Sequence, residues 1–236
     1  MSPMSSLTRV LTDVATGPFF RTAEVAGVTP LSRQFRQIDL SGDALRGAKW
    51  AAGNKVQIRF GDGLTLRTFT PLRWDAVGGT TSIAAFLHDS GPGSRLLAGI
   101  EAGAELKFFG PRSSIALADA TGPAVFVGDE TSIGLAVNRS ETGQPTTWIF
   151  EATDPDDYRT ALTALGLPAE ATIVEVGEPL RAAAIAALRA APADRLILTG
   201  RAQSIATLRA LIKTESLGSR PTLVKAYWDE KRSGLD

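Results

Sequence analysis

The sequence contains no cysteine and a single histidine, His88. Without cysteine there is no disulfide, no thiol nucleophile, no cysteine-held zinc and no iron–sulfur cluster. One imidazole likewise cannot build a multi-histidine metal site. Net charge is absent too, since 25 basic residues balance 25 acidic ones. Bulk nucleic-acid binding needs an excess of Lys and Arg to neutralise phosphates, so no nucleic-acid partner is expected. No apolar run reaches membrane-spanning length, and the N-terminal stretch lacks the continuous apolar core of a signal peptide. The expectation is a cytoplasmic protein, a monomer with no membrane insertion. In that setting the glycosylation-like triplet Asn138-Arg139-Ser140 carries no meaning.

What remains is an ordinary globular composition, 44% hydrophobic and 21% charged over 236 residues. That length suits one large domain or two of common size. The chain changes its pattern midway. Residues 20–25, 32–40, 55–60, 64–70, 80–87 and 105–109 read as short strands, with Gly61-Asp62-Gly63 and Gly78-Gly79 as turns. Short strands at this spacing predict a small antiparallel β-barrel, interrupted by one helix near 93–100 whose Leu96, Leu97 and Ile100 share a face. After Gly122-Pro123 come four apolar runs, at 124–127, 147–150, 172–176 and 195–199. Helical stretches at 156–165, 179–190 and 202–213 alternate with the last three, and another follows the first. Such alternation predicts a parallel sheet with right-handed crossovers. The expected fold is therefore two-domain β plus α/β, with a barrel over residues 18–118 and a small α/β domain over 123–236.

Three places concentrate chemistry. The strand ending in Arg67-Thr68-Phe69-Thr70 has Leu64, Leu66 and Thr68 as its expected core face. Its other face then carries a cation, a ring and a hydroxyl, a set able to meet a phosphate and a flat heterocycle. An edge strand with a solvated Arg is the plain alternative. The loop His88–Ser94, with Gly91, Pro92 and Ser94 before a helix, exposes backbone N–H groups of the kind that hold phosphate. Finally, in open parallel sheets ligands sit at the carboxyl ends of strands. Two such ends are Gly128-Asp129-Glu130-Thr131 and Thr199-Gly200-Arg201. Ordinary helix capping by Asp129 and Thr199 is the competing reading there.

The order of these parts resembles the ferredoxin–NADP reductase superfamily. Within it the sequence looks like the siderophore-interacting protein family of flavin-dependent ferric-siderophore reductases. Arg67-Thr68-Phe69-Thr70, His88 to Ser94, Gly110-Pro111-Arg112, Gly128-Asp129-Glu130-Thr131 and Lys225-Ala226-Tyr227-Trp228 carry the resemblance, which spans about Arg21 to Gly234. It implies that Arg67 meets the pyrophosphate of FAD, that Phe69 and Thr70 line the isoalloxazine, and that His88, Gly91, Pro92 and Ser94 belong to its phosphate loop. Tyr227 and Trp228 would return towards the flavin. Asp129, Glu130 and Thr131 would lie near the nicotinamide. The sequence departs from the pattern at Phe69, where Tyr is usual, and at Leu96, where Trp is frequent. The loop after His88 is one residue shorter. Arg201 stands where an acidic residue is common, and an Arg there is expected to meet the 2′-phosphate of NADPH.

The implied activity is transfer of electrons from NADPH or NADH through FAD to an Fe(III)–siderophore, releasing iron as Fe(II). No catalytic acid, base or nucleophile is needed for it, since the flavin carries the redox chemistry. A basic patch of Lys55, Arg112, Lys231 and Arg232 is expected to attract an anionic siderophore. Two alternatives stand beside this one. The first is a general NAD(P)H:flavin reductase of the same fold. The second is a non-enzymatic binder of a siderophore or other partner, with a degenerate flavin site.

Overall fold

A computed structural model describes residues 20–60, 65–88, 92–190, 195–217 and 221–230. The first half is built from β1 (Arg21–Pro30), β2 (Phe35–Ser41), β3 (Lys55–Phe60), β4 (Thr65–Phe69), β5 (Arg73–Asp75), β6 (Thr80–Phe86) and β7 (Glu105–Arg112). Helix α1 (Pro92–Ala98) lies between β6 and β7. The strands form one antiparallel sheet in the order β4-β3-β7-β1-β2-β6-β5. Alternation drives it: in β1, Ala23 and Val25 are buried while Thr22 and Glu24 are exposed. A register shift between Val25 and Gly27 bends β1, and the sheet curls round a core of Val25, Ile38, Ile58, Ile83 and Phe108. The curl is tight enough for Trp74 of β5 to meet Phe108 of β7 edge-on, ring centroids 6.5 Å apart. In α1, Leu97 is buried as expected but Leu96 is exposed.

The second half contains β8 (Ala124–Gly128), α2 (Ile133–Glu141), β9 (Thr146–Ala152), α3 (Pro155–Ala164), β10 (Thr172–Glu175), α4 (Glu178–Ala190), β11 (Arg195–Arg201), α5 (Ala202–Thr214) and β12 (Thr222–Trp228). All five strands run parallel, in the order β10-β9-β8-β11-β12. Central β8 is buried at every residue because helices or the barrel cover both its faces, which is why it reads as an unbroken apolar run. Helix α4 buries Leu180, Ala184 and Leu188, the stripe its 3.6-residue spacing predicts. The segment ending in Tyr227-Trp228 is a fifth strand rather than a tail. It is an edge strand, half-exposed along most of its length, so its apolar alternation is weak. No helix among the described residues is long and apolar enough to cross a membrane.

The two halves share a core. Leu31, Phe35, Leu72 and Ala84 from the first pack in one cluster with Phe126, Ile133, Leu135, Phe150 and Tyr158 from the second. Phe35 and Tyr158 stack at 5.2 Å. Asp157 accepts hydrogen bonds from Ser32 Oγ (2.9 Å) and the amides of Arg33 (2.9 Å) and Gln34 (3.1 Å). Helix α2 is the principal join. Its Asn138 amide donates to the carbonyls of Pro71 (3.0 Å) and Leu72 (2.8 Å) and accepts from the Gly53 N–H (2.8 Å). Gly134 permits the approach: a Cβ there would lie 2.4 Å from the Thr70 carbonyl oxygen. Buried Arg139 donates to the carbonyls of Ala120 and Gly122, holding the connecting segment.

Candidate functional site

The sheet order reverses beside β8, since the chain runs outward through β9 and β10 and then returns to β11 on the other side. A crevice opens at the carboxyl ends of strands at such a point. Asp129 lies in it. Its carboxylate caps the turn that follows, accepting from the Thr131 N–H (2.9 Å) and Ser132 Oγ (3.2 Å). Oδ2 accepts from the Trp228 indole N–H at 2.7 Å. Across the crevice, Gly200 has φ +100°, and a Cβ there would come within 2.4 Å of the Asp129 carboxyl. Only glycine allows both that backbone and that contact. Asp129 is 1% exposed. Burial raises its pKa from 3.8 to about 6, with the nearby Glu130 and Glu151 charges adding to the rise and the Thr131 and Trp228 bonds opposing it.

The barrel contributes Thr70, one residue past β4, whose hydroxyl is hydrogen-bonded to that of Tyr227. Tyr227 is half-buried, and desolvation of its hydroxyl chiefly raises its pKa. Next to it, the Arg201 guanidinium donates to Glu230 and lies 5.6 Å from the Trp228 ring centre. So Thr70, Asp129, Thr131, Arg201, Tyr227 and Trp228, scattered over the sequence, do meet at one edge. Glu130 lies there too, but its carboxylate is engaged by the Thr153 N–H (2.6 Å) and hydroxyl (2.8 Å), tying the β8 turn to the end of β9.

Several expected residues sit differently from their sequence reading. In the β3–β4 ladder Phe69 pairs with Val56 and Arg67 with Ile58, so the two share a face, and Phe69 packs on the barrel core. Leu66 and Thr68 therefore point the other way, reversing the expected faces. Arg67 is exposed, and its Nη1 donates to the Leu66 carbonyl (2.9 Å). Lys55 and Arg112 are partners across β3 and β7, as a shared patch requires. They are not exposed charges, however. Lys55 is 8% exposed, and Arg112 donates to Gln57 with its guanidinium 4.5 Å from the centre of the Phe109 ring. His88 is exposed near the Phe86 ring, and Ser94 is buried in α1. Gly91, Lys231 and Arg232 lie outside the described residues, as does the side chain of Pro92.

Sequence reasoning overlooked Asn138, dismissed with its sequon, although an Asn on an apolar helix face is itself a signal of a buried polar anchor. It also passed over Glu151, at the end of β9. That residue is 2% exposed, with one oxygen bonded to Ser204.

A curled antiparallel sheet followed by a five-stranded parallel sheet, with the candidate residues between them, is the fold of the ferredoxin-reductase class. Among solved structures the chain is similar to a siderophore utilization protein from T. fusca, at 22% identity and TM-score 0.69, over 92% of this chain and 95% of that one. It is similar also to the siderophore-interacting protein SipS of Aeromonas hydrophila, at 21% identity and TM-score 0.71, over 91% and 93% of the two chains. Phthalate dioxygenase reductase, described as transferring electrons from pyridine nucleotides to a [2Fe-2S] centre, matches at 17% identity and TM-score 0.66, over 89% of this chain and 68% of that one. At these identities the likeness is one of fold. No protein-family model matches the sequence, and no curated protein matches it either.

Proposed function

We propose that this protein is a flavin-dependent oxidoreductase that takes electrons from NADH or NADPH onto FAD and passes them to an Fe(III)–siderophore, releasing Fe(II). The observation that carries this reading is the meeting of barrel Thr70 with Tyr227, Trp228 and Asp129 at the reversal point of the parallel sheet. The donor set there suits a flavin: two hydroxyls, an indole face, and Arg67, a cation on the neighbouring strand bonded to a backbone carbonyl rather than an acid. Bound FAD would supply the step from a two-electron hydride donor to a one-electron iron acceptor. Arg67 would hold the pyrophosphate by charge-assisted bonds, and the exposed part of Phe69 would bound the ring system. A flavin edge reaching Thr70 would replace the bond that Thr70 now makes to Tyr227. By the family resemblance, His88, Gly91, Pro92 and Ser94 would hold the phosphates, and Asp129, Glu130 and Thr131 would border the nicotinamide. The proposed arrangement is a barrel domain over residues 18–118 and a nicotinamide-binding domain over 123–236.

Arg67→Ala should leave a folded protein whose FAD affinity falls about ten- to hundredfold, the loss expected for one charged hydrogen bond. Unchanged flavin occupancy after desalting would remove Arg67 from the site. The whole reading is tested by anaerobic reoxidation of the reduced protein with a panel of ferric siderophores. A colourless protein that still binds siderophore would make it a binder instead. A flavin lost on every turnover would make it a general flavin reductase.

Lys55, Arg112, Lys231 and Arg232 are the proposed contacts to an anionic siderophore. Replacing Lys55 and Arg112 together by Met should slow reduction of an anionic siderophore while leaving a small neutral acceptor unaffected. Because Lys55 is buried and Arg112 partly so, the difference should persist at physiological salt, where exposed charges are screened over about 8 Å. A difference that vanishes with salt would mean that Lys55 and Arg112 act at long range and not by contact with the siderophore.

A further inference from the structure

The barrel carries a second concave site, on the face turned away from its core. Ile38, Leu40 and Ile83 point into the core, so the residues alternating with them, Gln37, Asp39 and Ser82, face outward. Together with Arg73, Asp75 and Thr80 they line a cavity of about 380 Å³. Cavities of that size hold small molecules. Register fixes the arrangement. Asp39 on β2 and Arg73 on β5 both pair with Ser82 on β6, so an acid and a base flank one hydroxyl, each a strand spacing of about 4.8 Å away.

The polar groups of this row are short of partners. Ser82 is 5% exposed, yet its hydroxyl bonds to no described residue. Gln37 Nε2 donates to Asp39 Oδ1 at 2.8 Å, which orients the amide and leaves its oxygen and Asp39 Oδ2 as acceptors. Gly27, the partner of Asp39 on β1, adds no side chain to cover Oδ2. Asp39 and Arg73 form no ion pair with each other. Among the described residues Arg73 has one ion pair, a loose one at 3.8 Å to surface Glu141.

An ammonium matches the first end of the row, because its N–H groups meet Asp39 Oδ2, the Gln37 amide oxygen and Ser82 Oγ. A carboxylate matches the other end, where the Arg73 guanidinium offers a two-pronged donor. Two residues along β6, Thr80 pairs with Asp75, whose Oδ1 accepts from the Val77 (2.9 Å) and Gly78 (2.8 Å) amides, bonds that keep it ionised. Arg46 also acts on Asp75, but its guanidinium donates to Asp43 and to the Val77 carbonyl. The lining thus sets two carboxylates against one guanidinium, with Glu141 and Asp43 beside it outnumbering Arg46. A ligand that completes it carries two positive charges and one negative.

We infer that this cavity binds a free basic amino acid, with its α-ammonium on Asp39, its carboxylate on Arg73 and its side-chain cation towards Asp75. The site is separate from the crevice and is independent of the flavin reading, since none of its lining residues belongs to the proposed cofactor contacts.

The test is isothermal titration calorimetry of the full chain with L-lysine, L-arginine, L-glutamate and 1,5-diaminopentane. Lysine and arginine should bind, and glutamate should bind at least about tenfold more weakly, the range of one charged hydrogen bond. Diaminopentane, which lacks the carboxylate, should be weaker by a similar factor. Asp39→Asn should weaken lysine about ten- to hundredfold. Arg73→Gln should weaken lysine about tenfold and leave diaminopentane unaltered, a split that general loss of structure would not produce. No binding of lysine or arginine at millimolar concentration would overturn the inference. So would glutamate or diaminopentane bound as tightly as lysine, or a lysine affinity unchanged in either variant.

Discussion

Replacing Asn138 by alanine should destabilise the protein by about 3–5 kcal/mol, because it orphans three buried backbone groups at once. The side chain is 1% exposed on α2 and reaches across to the barrel, bonding Gly53 N–H and the carbonyls of Pro71 and Leu72. Truncation leaves each of those groups enclosed without a partner, at a cost of roughly 1–3 kcal/mol apiece, partly relieved by relaxation or entering water. The consequence reaches the site. Pro71 and Leu72 follow Thr70 directly, so slackening there should loosen the Thr70–Tyr227 contact and weaken flavin binding. Urea unfolding monitored by far-UV circular dichroism measures the first effect, and flavin retention the second. Glu141→Ala on the same helix provides a control. Its carboxylate comes only to 3.8 Å of Arg73 at the surface, and its removal should change stability by less than about 0.5 kcal/mol. A loss below about 1 kcal/mol for Asn138→Ala would mean that its three hydrogen bonds add little to the other contacts that join the halves.

The second large effect depends on pH. Asp129 has a folded-state pKa of about 6 against an ordinary 3.8, raised mainly by burial. For an acid shifted upward, the folded state keeps its proton longer than the unfolded chain does. Below about pH 3.8 both states are protonated and the group costs nothing. Between there and about pH 6 stability falls as pH rises, and above that range the full cost remains, about 3 kcal/mol for a shift of this size. Asp129→Asn carries no such cost. The stability of the variant relative to the unaltered protein should therefore rise by about 2.5 kcal/mol between about pH 4 and about pH 8. Trp228 offers an independent readout, since its indole N–H donates to Asp129 Oδ2. Its fluorescence should change with a midpoint near pH 6, and the change should be lost in Asp129→Asn. A relative stability that stays flat over that range would show that the carboxylate is ionised throughout.

Much of this site can be read along the chain, and the parts that cannot share a cause. Gly128-Asp129 and Gly200-Arg201 announce themselves as strand ends opening helices, and both stand at the crevice. Which face of β4 turns inward does not announce itself. In Thr65-Leu66-Arg67-Thr68-Phe69 each face carries one large apolar residue, so alternation is ambiguous. The decision falls to the pairing of Phe69 with Val56 on β3. Strand β12 escaped notice because an edge strand needs only one apolar face, and Lys225 interrupts even that. The burial of Lys55 follows from β7 on its flank, a neighbour half the barrel away in sequence.

The sequence by itself determined the elements and their class. The short alternating strands, the continuous apolar run at β8 and the Leu180–Ala184–Leu188 stripe are local signals, set by backbone periodicity and by which side chains avoid water. The absence of cysteine and of a second histidine likewise settled which chemistries this chain cannot perform with its own side chains. Only the tertiary structure decided what those elements present to one another. It put Trp228 on Asp129, Thr70 on Tyr227, Arg201 on Glu230 and Ser204 on Glu151. A side chain's pKa, its partner and its availability to a ligand depend on groups that lie tens of residues away in sequence. Burial and hydrogen bonding act through distance in space, and no local pattern encodes that distance.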